Sequence, residues 1–267
     1  MPEIDIALLA VITRGLATAA FVSGVVALME RASPFIGGIV LALPMVTGPV
    51  YIFIILQQDS AFVAQAALGS LATIGAVLMF LATAVALLAR AAMPLTLLGA
   101  LLAWLATGFI IRLLPYAFPV SLGVVAVTAL LAWFMGRNVP MTAPAARSRS
   151  PRYEIALRGI AAGLLVMLVS GLAHLLGPKV AGIFASFPVA LLTVSWFLPR
   201  RLETAGIRAA WRASQIGMIS HIPFFTSLSL LSPMIGEWAA FEVGMAGSLG
   251  VAVTLALLRR RHLRKAV

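Results

Sequence analysis

The chain contains no cysteine, and only 8 of its 267 residues are acidic. Without thiols there is no disulfide framework, no thiolate nucleophile and no cysteine-held metal. So few carboxylates leave little for a sodium or calcium site, which draws on Asp and Glu oxygens. Charge of either sign is scarce, at 10% of residues against roughly 25% in a soluble domain. That is too little to cover a water-facing surface. No phosphate-binding Gly-Lys loop, HExxH pair or Ser-His-Asp set stands out. The reading is therefore not an enzyme: no catalytic residue is nominated, and no cofactor or metal is called for.

What the chain has is apolar length. Hydrophobic residues make up 62% of it, mean hydropathy is +1.09, and the runs recur from end to end. The lipid bilayer is the expected surrounding. A transmembrane helix needs about 20 such residues, which predicts spans near 6–29, 35–56, 61–89, 92–112, 116–136, 155–176, 179–198, 208–231 and 238–258. The fold class is all-α, a polytopic transmembrane bundle of about nine spans. One polar stretch, RNVPMTAPAARSRSPRY at 137–153, separates a first membrane repeat of about five spans (1–136) from a second of about four (154–267).

A net charge of +11 would suggest nucleic acid in a soluble protein. Here the basic residues sit in the linker, the 199–212 loop and the C-terminal tail, each after an odd-numbered span. Loops after even-numbered spans hold little beyond Asp59, Arg112, Lys179 and Glu237. By the positive-inside rule, linker, loop and tail are cytoplasmic. No nucleic-acid partner is expected, and with nine spans the N-terminus lies outside.

The two parts echo each other at a shift of 144 residues. Arg14/Arg158, Gly15/Gly159, Ala17/Ala161, Pro34/Pro178, Gly38/Gly182, Pro44/Pro188 and Phe53/Phe197 are identical in that register. A later match, Ser121-Leu122-Gly123-Val124 with Ser248-Leu249-Gly250-Val251, runs at a shift of 127, so the first copy holds about one extra helix. If that piece crosses the bilayer the copies start in opposite senses. If it is re-entrant near 92–112, eight spans and parallel copies result. Duplicated membrane units with interrupted helices are how many transporters build a central site.

Candidate site residues follow from cost. Arg14 falls well inside the first span, where an arginine costs about 2.5–3.5 kcal/mol to insert; it either faces a cavity or marks an interfacial boundary. Pro44 and Pro188 interrupt the second and seventh spans and free backbone groups that something must satisfy. Thr47 and Ser186 lie beside them, or simply bond their own helix carbonyls. Gln65 and Gln215 occupy comparable places in the third and eighth spans, as helix glue or ligand contacts. His221, two residues before Pro223, suits either a bond to a freed carbonyl or a proton relay. Gly159-xxx-Gly163 favours close helix crossing and is compatible with a homodimer.

The second part, over roughly 155–258, resembles the GlpM-like family of small bacterial inner-membrane proteins. The stretches concerned are VAGIFASFPVALLTVSWFL (180–198) and GIRAAWRASQIGMISHIPFFTSLSLL (206–231), with Gly182, Phe187, Pro188 and the Ile-Pro-Phe of 222–224. The first part shares Pro44 but has no counterpart of that Ile-Pro-Phe turn. The resemblance implies a bacterial inner membrane and a link to envelope polysaccharide production, and it names no activity. Two functions are carried forward. One is a secondary transporter or flippase for a small organic or anionic amphiphilic solute. The other is an accessory protein supporting envelope polysaccharide or lipid assembly. The first predicts a solvent-reachable pocket level with the prolines; the second predicts a dry core and a conspicuous outer face.

Overall fold

The computed structural model describes residues 2–31, 43–140, 151–200 and 202–265. Every regular element among them is helical: α1 (Pro2–Arg31), α2 (Thr47–Ile55), α3 (Ser60–Leu87), α4 (Met93–Leu113), α5 (Phe118–Gly136), α6 (Arg152–Ala185), α7 (Val189–Phe197), α8 (Thr204–Gly217), α9 (His221–Ile235) and α10 (Glu237–Lys265). Six described stretches are long and apolar enough to cross a membrane: 60–87, 93–113, 118–136, 177–200, 204–235 and 237–258. The chain is an integral, multi-pass membrane protein.

Three of the nine expected spans are not among those six. In α1 the apolar stretch among the residues whose side chains are described is Val11–Ala27. The expected 35–56 span falls partly on 32–42, outside the described residues, which leaves nine-residue α2. The expected 155–176 span lies within α6, and part of it, at 170–174, falls on side chains outside the described residues.

Helix ends follow local chemistry. Asp59 caps α3 by accepting from Phe62 N–H at 2.8 Å, and prolines open α4 and α5, where a missing N–H costs nothing. α6 breaks at Gly177 (φ 69°, ψ 165°). The residue before a proline is pushed out of the helical region, and only glycine takes that φ without strain. Gly236 (φ 84°) turns α9 into α10 for the same reason. Across that turn Ser227 donates to Ala240 O at 2.6 Å.

At the centre stands α3, mostly buried and rich in Ala, Gly, Ser and Thr. Small residues let neighbouring backbones come close. α5 runs parallel to it, since Leu68 O accepts from Ser121 and Gly75 abuts Val124 and Thr128. α8 and α9 run back along it: Arg208 at one end donates to Val85 O at 2.8 Å, and Phe224, Phe225 and Leu228 share a core with Ala66, Ala67 and Leu71. α1 crosses α6 antiparallel. Ser23 reaches Ile155 O at 3.5 Å, Gly159 lies on Ala19, Gly163 on the Gly15 carbonyl, and Gly15 on Met167. Leu9, Leu16, Leu102, Phe109, Leu130 and Phe134 are exposed, as lipid-facing side chains must be.

Candidate functional site

The two proline breaks are built differently but lie in one core. At the first, Pro44 O accepts from Gly48 N–H at 2.6 Å, and Pro49 sits in the first turn of α2, where it removes no helix bond. The Thr47 hydroxyl is buried there without a hydrogen-bond partner. At the second, Pro188 has φ −78° and ψ 46°, outside the helical region. Ser186 and Phe187 amides close short turns onto Ile183 O (3.2 Å) and Phe184 O (3.0 Å). Ser186 Oγ is likewise buried and unpartnered. Each break thus holds one unsatisfied hydroxyl, and Val46, Val50, Ala185, Phe187 and Val189 from both sides meet in the same cluster.

A hydrogen-bonded chain ties the region together. Tyr51 OH on α2 lies 2.8 Å from Ser70 Oγ on α3, and Ser70 Oγ donates to Gly182 O at 2.7 Å. Gly182 belongs to the eight-residue piece of α6 between Gly177 and Ser186. It packs so tightly on α3 that a Cβ would collide with the Ala66 carbonyl. The same piece is held at its start, where Tyr116 OH donates to Lys179 O at 3.3 Å and Lys179 Nζ stands 4.4 Å from the Tyr116 ring centroid. Burial pushes the Tyr116 phenol up to about 12, so it stays a neutral donor.

Among the described residues, the core that both breaks border is filled by apolar side chains. Val50, Tyr51, Ile54, Phe224 and Phe225 are at most 1% exposed, and Tyr51, Phe224 and Phe225 stack edgewise with centroids 5.4–5.8 Å apart. Instead of the hydrated spot expected beside the prolines, the described residues show aromatic and aliphatic side chains in this core. Among the described residues, hollows lie elsewhere. An apolar outer groove of about 330 Å³ runs between Leu97, Leu101, Leu157, Leu192 and Trp196. A pinhole of about 10 Å³ adjoins Tyr116. Neither is lined by Pro44, Thr47, Pro188 or His221.

The other nominated residues scatter. Arg14 is partly buried on α1 with its guanidinium carbon 6.0 Å from the Phe53 ring of α2, and no described carboxylate pairs with it. Its counterpart Arg158 has one, Glu154, at 3.8 Å. Gln65 is exposed, so it does not join the breaks; its place one turn into α3 faces outward. Gln215 is buried but lies beside Gly136 at the end of α5. His221 opens α9 beside the aromatic cluster, 3.4 Å from Ser220 Oγ, with a ring contact to Phe225. Ahead of Pro223 the helix tightens into a 3-10 turn, Met218–Ser220. Among the described residues no cluster of His, Asp and Glu could hold a metal.

Sequence reasoning missed Tyr51, Ser70 and Arg212. A tyrosine inside YIFII and a serine inside an Ala-Gly helix were the available signals; which carbonyl each would find depends on how α2, α3 and α6 cross. Compared with protein-family models, curated proteins and solved structures, the chain matches none.

Proposed function

We infer that the protein is a secondary transporter or flippase built from two inverted repeats, acting on a small organic or anionic amphiphilic solute. The observation that carries this reading is the α1–α6 crossing. There Gly163 lies on the Gly15 carbonyl and Gly159 on Ala19, so the first helices of the two halves pack antiparallel. Opposite directions of corresponding helices are what inverted copies require. Inverted repeats with interrupted helices, and a site where the interruptions meet, are a recurrent transporter plan. The buried hydroxyls of Thr47 and Ser186, one at each break, are groups a solute would engage once the aromatic plug of Tyr51, Phe224 and Phe225 moves. The arrangement seen is then the closed one. Arg14 and His221, flanking this region, complete the proposed path. α4 is the extra helix of the first copy, and nine spans place the termini on opposite faces, with the C-terminus cytoplasmic.

A second reading rests on the filled core and the outer groove. An accessory protein of envelope polysaccharide or lipid assembly needs no internal path and offers such a groove to a neighbour. The GlpM-like resemblance, and with it a bacterial inner membrane, favours that role. Cysteine accessibility separates the two, since the native chain has no thiol to remove. Single cysteines at Thr47 and Ser186 react with a water-soluble maleimide if the plug opens. If both stay unlabelled in native membranes while a cysteine at exposed Gln65 is modified, the transport reading fails.

A further inference from the structure

The end of the bundle where α3 and α5 finish carries a donor cluster that the proline breaks do not use. Arg208, Trp211, Arg212 and Gln215 follow a helical spacing of three and four and so share one face of α8. Arg208 is satisfied: it donates to Val85 O at 2.8 Å, one of the last four carbonyls of α3, which lack a partner within their own helix. Trp211 is satisfied too, donating to Ser195 Oγ at 2.9 Å. The next two are not. Arg212 Nε and Nη1 and Gln215 Nε2 are buried with no hydrogen-bond partner, and Gln215 is only 8% exposed. Both side chains stand against Gly136. Arg212 Nη1 and Gln215 Oε1 lie 2.6 and 3.7 Å from where a Cβ on that glycine would be.

All three unmatched atoms are donors, and one side chain is a cation. A carboxylate would be the ordinary partner, yet none of the described ones pairs with Arg212; Glu203, at the start of α8, is exposed. Nor does the end of α5 satisfy them, because no hydrogen bond joins Arg212 to it and the Gly136 carbonyl accepts from Val139 N–H at 2.9 Å. Leaving buried donors unmade costs more than making such bonds gains. A guanidinium fork beside an amide matches the oxygens of a phosphate group. The surroundings agree in sign: Arg90 follows α3, Arg137 follows α5 and Arg208 is one turn away.

We propose that Arg212 and Gln215, seated against Gly136, bind a phosphate-type oxyanion, either free or as the headgroup of an anionic lipid. The site stands independently of transport.

The test is thermal unfolding of the purified full chain in phosphatidylcholine nanodiscs. One arm adds inorganic phosphate against chloride at equal ionic strength; the other replaces part of the phosphatidylcholine with phosphatidylglycerol. A saturable rise in Tm with phosphate identifies a free anion, and a rise with phosphatidylglycerol alone identifies a lipid headgroup. In either case Arg212→Gln should weaken the response at least tenfold, and exposed Arg137→Gln should leave it within twofold. Gly136→Ala keeps every charge and suits a helix, but its methyl displaces the end of Arg212, so it should weaken the response as well. It carries the test if Arg212→Gln does not fold. No rise with either probe, a rise that chloride reproduces, or a wild-type response in Gly136→Ala would overturn the site.

Discussion

Ser70 is the hinge of the buried polar chain, because it bonds Tyr51 on one side and the Gly182 carbonyl on the other. Tyr51→Phe removes one partner and leaves Ser70 bonded to Gly182, so the loss should be small, about 1 kcal/mol. Ser70→Ala strands both the Tyr51 hydroxyl and the Gly182 carbonyl in an apolar interior, each costing about 1–3 kcal/mol. Tm values in detergent should therefore fall clearly more for Ser70→Ala than for Tyr51→Phe. Equal losses would mean that the Gly182 contact contributes nothing. The presence of polar residues in these helices was legible in the sequence, but their pairing was not. Gln65 and Gln215 illustrate this: similar places along their helices, yet one faces outward and the other is buried, since helix rotation is set by neighbours.

At the scale of elements, glycine decides how near the helices approach. Gly159 and Gly163 lie on the backbone of α1. Gly163→Leu should force α1 and α6 apart and cost a few kcal/mol, comparable to overpacking a core. Gly123→Ala meets nothing within 4 Å and should leave Tm unchanged or slightly higher. Melting of the two variants beside wild type checks the contrast. Gly236→Ala is a different case, since the space is open but the φ of 84° is not suited to a side chain; about 1–2 kcal/mol should be lost. The breaks at Gly177-Pro178 and Pro188 were readable because proline acts through covalent geometry. That α1 and α6 lie side by side and antiparallel was not readable, because helix pairing is set by mutual packing.

For the whole molecule, the inverted-repeat reading predicts termini on opposite faces. A cysteine near residue 2 and another near residue 265 should be modified from opposite sides of sealed membrane vesicles. Modification of both from one side would remove the inverted topology and leave the parallel, eight-span arrangement. Charge placement alone could not choose between these, because the later loops fit both. The antiparallel α1–α6 crossing favours the former.

The sequence by itself determined the solvent of this protein and the places where its helices must stop. Bulk hydropathy and the backbone chemistry of proline and glycine do not depend on neighbours. Only the tertiary structure decided what fills the core that both breaks border and which cations lack partners. Those outcomes turn on helix rotation and crossing, which many similar apolar surfaces permit and only mutual packing selects. Hence Tyr51, one residue of an apolar run, lies in the buried core, and Arg212, a loop charge in one dimension, has its Nε and Nη1 buried in three.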